Sequence, residues 1–76
     1  MNELTRIGLN VDLGSGEYER LTKYLLARKK EDMLDASYVS GGALACFNIN
    51  VLQVKNLEKI VSEIRILLPD VSVGVS

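Results

Sequence analysis

Apolar positions along the chain recur with two periods, and the changes from one to the other divide it into six segments. Residues 6–13, RIGLNVDL, alternate: Ile7, Leu9, Val11 and Leu13 fall on one side, Gly8, Asn10 and Asp12 on the other. That is the period of a half-buried strand. Gly14-Ser15-Gly16 interrupts it, and Ser15 stands where a helix N-cap belongs. From Glu17 to about Lys30 the period lengthens, and Tyr18, Leu21, Tyr24 and Leu25 form one apolar stripe. Glu17 and Glu19 lie in the first turn of this helix and Arg28, Lys29 and Lys30 in the last, as the macrodipole favours. The basic run reads as a solvated helix end.

Residues 33–51, MLDASYVSGGALACFNINV, predict the β-hairpin around which the rest is organised. Two apolar-rich runs flank Gly41-Gly42, which supplies the positive φ of a tight turn. With these glycines as the loop, Tyr38 stands opposite Ala45, Ala36 opposite Phe47 and Leu34 opposite Ile49. Those six side chains share an apolar face, while Asp35, Ser37, Val39, Leu44, Cys46, Asn48 and Asn50 share the other. A slip of one residue would bury both asparagines and expose Phe47. Residues 53–56 then connect to a second helix, with Asn56 at its cap position. Leu57, Ile60, Val61, Ile64, Leu67 and Leu68 make its stripe, Ile66 falls off it, and Pro69 ends it. The closing VSVGVS alternates Val71, Val73 and Val75 with Ser72, Gly74 and Ser76, a fourth strand.

The order β-α-β-β-α-β predicts an α+β fold, the split βαβ or ferredoxin-like arrangement. It is a four-stranded antiparallel sheet of order 4-1-3-2 with two helices on one face, and residues 1–76 form one domain. Strands two and four are the edges. The expected core includes Leu9, Val11, Leu25, Phe47, Ile49, Ile60, Ile64 and Val73.

Composition narrows the function classes. Nine basic and ten acidic residues leave a net charge of −1, a poor match for phosphate backbones. The chain has no His and a single Cys, so the commonest general base and any zinc site with more than one thiolate are absent. No apolar run reaches membrane-spanning length and MNELTRI is no signal peptide, which points to a cytoplasmic protein.

No convincing catalytic set assembles. Asp12 and Asp35 fall on the open sheet face as isolated, solvated carboxylates, and Cys46 reads as an inert, partly covered thiol. The loop DLGSGE lacks the GK[ST] of a phosphate loop, and Glu17 and Glu19 would repel an anion, so it reads as a tight strand-to-helix turn. RNA-binding modules of this topology stack bases on aromatics of the open face. Here Tyr18, Tyr24, Tyr38 and Phe47 all fall in the helix stripe or the core. The expectations are therefore no catalysis, no cofactor, no metal, no nucleic acid and no membrane.

Three stretches, NVDLGSGEYERLTKYLLA, DMLDASYVSGGALACFNINV and NLEKIVSEIRILLPDVSVGV, together resemble an ACT domain. The nearest likeness is the C-terminal ACT domain of the long stringent-response enzymes that make and degrade (p)ppGpp. Gly14 or Gly16 corresponds to that family's loop glycine, Asp32 stands where the family has Asn, and Glu17 replaces an apolar residue. The resemblance implies a non-catalytic regulatory domain that pairs side by side and binds an amino acid at the shared interface. On this chain the binding residues would be Asp12, Gly14, Ser15, Gly16 and Asp32. A freestanding protein-binding adaptor or inhibitor of the same topology is the alternative. The sequence itself adds one argument for self-association. The closing strand carries no Lys, Pro or bulge to guard an edge, which places a homodimer interface at Ile66, Val71, Ser72, Val73 and Gly74.

Overall fold

β3 (Leu44–Val51) lies inside the sheet, and its burial alternates without a break: Ala45, Phe47, Ile49 and Val51 are buried, while Leu44, Cys46 and Asn48 are exposed. A computed structural model of the chain describes residues 5–75. β3 pairs antiparallel with β1 (Thr5–Asp12) on one side and with β2 (Leu34–Gly41) on the other. β4 (Gly74–Val75) pairs antiparallel with the far side of β1. The sheet order is β2-β3-β1-β4, which counted from the β4 edge reads 4-1-3-2. β2 and β4 are thus the edges.

The buried side chains of the strands all meet one layer of helix. α1 (Gly16–Lys30) contributes Leu21 and Leu25, and α2 (Leu57–Leu67) contributes Ile60, Val61 and Ile64. These pack with Ile7, Leu9, Val11, Leu34, Ala45, Phe47, Ile49, Val51 and Leu68 in one core that contains no buried polar side chain among the described residues. The other sheet face carries no helix among the described residues.

Both helix ends follow from local chemistry. α1 stops in a Schellman motif: the Asp32 N–H donates to the Lys29 carbonyl at 3.0 Å and the Met33 N–H to the Arg28 carbonyl at 3.2 Å. Asp32 holds the left-handed conformation this requires, with φ of 58°. α2 is entered through a 3₁₀ turn, Val54–Asn56, and Pro69 follows its last turn, where the Leu68 N–H still reaches the Ile64 carbonyl at 2.8 Å. Ser15 and Asn56 occupy the two N-cap positions, yet neither side chain bonds a helix N–H.

Four expectations are corrected. The hairpin loop is Gly42-Ala43, not Gly41-Gly42, so every pair moves by two residues: Tyr38 faces Phe47, Ala36 faces Ile49 and Leu34 faces Val51. Only Gly42 takes positive φ, 63°, at the first central position, as in a type II′ turn. A shift of two preserves which face each side chain occupies, so the face assignment survives while the partners change. Second, Tyr38 is half exposed, because it lies on an edge strand where Tyr18 of α1 and Phe47 cover only part of its ring. Third, the closing strand is Gly74–Val75 among the described residues, Ser76 lying outside them, while Val71 and Val73 pack as partly buried side chains against the core before pairing begins. Fourth, Cys46 is exposed on the open sheet face rather than partly covered.

Phe47 is the side chain on which these elements converge. It lies 3% exposed between Leu9 of β1 and Tyr38 of β2, with its ring stacked on Tyr38 at 5.1 Å. Phe47→Ala is expected to lower the unfolding free energy by about 3–5 kcal/mol in urea titration. A loss below about 1 kcal/mol would show that the ring is not part of the packed core.

Candidate functional site

The loop between β1 and α1 is built from its own polar groups. The Asp12 carboxylate accepts the Gly14 N–H at 2.8 Å. The Asp12 carbonyl accepts the Ser15 N–H at 3.1 Å and the Ser15 hydroxyl at 2.7 Å. Asp at the start of a turn does this routinely, since its short side chain reaches the backbone two residues on. The Leu13 N–H also donates to the Ala43 carbonyl at 2.9 Å, which ties this loop to the hairpin tip. Asp12, Gly14, Ser15 and Gly16 are thus brought together, as a turn closed on Asp12.

Asp32 is not brought to them. It follows the C-terminus of α1 and the loop precedes its N-terminus, so fifteen helical residues, roughly 22 Å, separate the two. The Schellman motif accounts for Asp32, which supplies the left-handed residue that Gly fills in most such helix ends. The other proposed group, at the interface, is also divided. Ile66 is 81% exposed on the solvent side of α2, Val71 and Val73 turn toward the core, and Gly74 sits opposite Gly8 in the sheet.

The basic run ending α1 is more engaged than a solvated helix end. The Arg28 guanidinium lies 5.5 Å from the Tyr24 ring centroid and pairs with Glu31 at 2.6 Å, and the Lys29 ammonium lies 3.4 Å from the Asp35 carboxylate. Tyr24 donates to Glu63 at 2.5 Å, joining α1 to α2. Partial burial and then the Glu63 carboxylate push the Tyr24 phenol well above its ordinary range.

The sequence reading missed a cluster that joins three distant positions. Tyr18 of α1 meets Tyr38 of β2 edge-on at 5.8 Å and Phe47 of β3 at 6.0 Å, and the Tyr18 hydroxyl donates to the Tyr38 hydroxyl at 3.0 Å. That bond, and then desolvation, raises the Tyr18 phenol above its ordinary value. Beside the cluster a groove of about 160 Å³ opens between α1 and β2. Leu25, Leu26, Ala36, Tyr38 and Phe47 line it, together with Thr22, Lys29 and Ser37. A second, shallower groove of about 370 Å³ lies between α2 and β4, lined by Leu57, Val61, Arg65 and Val75 among others. Among the described residues no three His, Cys, Asp or Glu side chains gather as a metal site, and no helix is long and apolar enough to cross a membrane.

These features define a class: a small α+β domain with an antiparallel sheet covered on one side by two helices, an open sheet face, an apolar groove at the β2 edge and a groove of mixed polarity at the β4 edge. No family model and no curated protein matches the chain. Among solved structures it is similar to a de novo designed protein, Foldit4, with a TM-score of 0.59 and 16% identity over 96% of this chain and 91% of that one. At that identity the likeness shows the fold alone.

The structural account of Asp32 has a direct test. Asp32→Gly relieves the left-handed backbone and is expected to raise the unfolding free energy by about 0.5–1 kcal/mol, net of the added freedom of the unfolded chain. A loss of stability in the same urea titration would show that the Asp32 side chain makes a contact of its own.

Proposed function

We propose that the chain is a non-catalytic regulatory or interaction domain of ACT type, which acts by pairing with a second copy through its β4 side. The observation that carries this reading is the apolar surface left by a two-residue edge strand. Val75 is 47% exposed and lines the groove beside α2 with Leu57 and Val61. Ile66 stands one position beyond Arg65 of that groove, exposed to solvent. A domain this small gains stability by covering such surface. The ferredoxin-like order and the sequence likeness to ACT domains support the same reading. An amino-acid effector at the shared interface, a cytoplasmic location and a place in a (p)ppGpp synthetase/hydrolase belong to this proposal. For the effector, the loop of Asp12, Gly14, Ser15 and Gly16 offers a rigid turn and Asp32 offers nothing.

Sedimentation velocity from about 10 to 100 µM tests the pairing, since association grows with concentration. The parent chain is expected to move toward dimer over this range. Ile66→Lys combined with Val75→Lys, both at exposed positions, should hold it monomeric with an unchanged circular dichroism spectrum. A parent chain that stays monomeric throughout contradicts the proposal.

A further inference from the structure

The opposite edge of the sheet has a different character. In a two-residue hairpin the pair that flanks the loop exchanges both backbone bonds, and the pairs alternate from there. Gly41, Val39, Ser37 and Asp35 therefore turn their N–H and C=O groups toward β3, and Ser40, Tyr38 and Ala36 turn theirs outward. Two observed bonds fix this phase. The Leu52 N–H donates to the Met33 carbonyl at 3.1 Å, one step along the same ladder. The outward Ala36 N–H is accepted by the Asp35 carboxylate at 3.0 Å. The Ala36 donor is thus covered, while the N–H and C=O groups of Tyr38 and Ser40 face solvent.

Apolar side chains flank this edge on both faces. Tyr38 and Leu26 are 48% and 55% exposed on the helix side, and Val39 and Leu44 are 69% and 51% exposed on the open side. Leu26 has Lys23, Lys29 and Lys30 as its neighbours at i−3, i+3 and i+4 on the helix surface. Glu17 and Glu19 lie toward the other end of the helix, so the groove is basic at its Lys29 end alone. β2 contributes one carboxylate, Asp35, already beside Lys29 at 3.4 Å.

We propose that the β2 edge accepts an extended peptide from another protein as a fifth strand. The peptide carries apolar residues at alternate positions and an acidic residue at the end beside Lys29 and Lys30. Its backbone bonds the outward groups of Tyr38 and Ser40, one row of its side chains enters the groove, and the other row covers Val39. The groove, at about 160 Å³, accommodates single side chains of such a strand. An acidic strand meets the charge of Lys29 and Lys30 with its opposite, and a second copy on the same edge is the occupant that the test below separates from it.

The experiment selects a phage-displayed library of random dodecapeptides on the immobilised full chain, then measures the enriched peptides by fluorescence anisotropy. The expected consensus alternates apolar residues and carries Asp or Glu at one end. N-methylation of the best peptide should abolish binding at every second amide and leave the intervening amides tolerant, the mark of an added strand. Ser40→Pro removes an outward N–H without touching the ladder to β3, and Leu26→Glu replaces an exposed apolar side chain of the groove with a carboxylate that would oppose an acidic peptide. Each should weaken the peptide by at least roughly tenfold. Ile66→Lys with Val75→Lys should leave it unchanged, which separates this site from the self-association surface. The proposal is overturned if no peptide is enriched, if affinity is indifferent to both edge variants, or if N-methylation shows no two-residue period. It is equally overturned if Ser40→Pro turns a dimer into a monomer, since a second copy would then occupy the edge.

Discussion

Everything in this domain depends on one strand having a single buried face. β3 is paired on both sides, so its register is held by two ladders at once, and the row Ala45, Phe47, Ile49, Val51 forms the floor on which both helices rest. Side chains alternate strictly along a strand, so a slip of one residue would put Asn48 and Asn50 under the helices. That penalty fixes the parity of β1 and β2 as well, because each is read directly against β3. The helices then need only one apolar stripe each, and α1 and α2 supply it through Leu21 and Leu25, and Ile60 and Ile64.

This also explains how far the fold was legible in the sequence. Alternation reports faces, and faces survive any even shift, so the pattern identified the buried row without distinguishing a Gly41-Gly42 loop from Gly42-Ala43. The choice rests on a single residue's backbone, the positive φ of Gly42, and two adjacent glycines hide which one carries it. The closing segment alternates as cleanly as any strand, yet Val71 and Val73 come directly off the Pro69 stop and pack against the core, and among the described residues pairing begins at Gly74.

The candidate sites were less legible, for reasons of geometry. Asp12, Gly14, Ser15 and Gly16 are neighbours in sequence and form one turn, but Asp32 was attached to them through a resemblance and the length of α1 keeps it away. The Tyr18–Tyr38–Phe47 cluster had the opposite problem. Each ring was assigned singly to a stripe or a core, and only the sheet order and the placement of α1 over β2 bring the three together. The exposed apolar residues divide in the same way between two edges: Val75 beside a strand of two residues, Tyr38 and Val39 on a strand of eight. The short edge offers side-chain surface, and the long one offers backbone as well, so the two edges suit different partners.

The central claim is that β2 is a true edge, with alternate backbone amides turned to solvent, beside a β3 that is paired on both sides. Amide hydrogen exchange followed by NMR on the dilute chain reads this residue by residue. The account predicts slow exchange at Ser37 and Val39, fast exchange at Tyr38 and Ser40, and slow exchange at every amide from Ala45 to Asn50. Uniform protection through β2, or fast exchange at Ser37 and Val39 with Tyr38 protected, would contradict it.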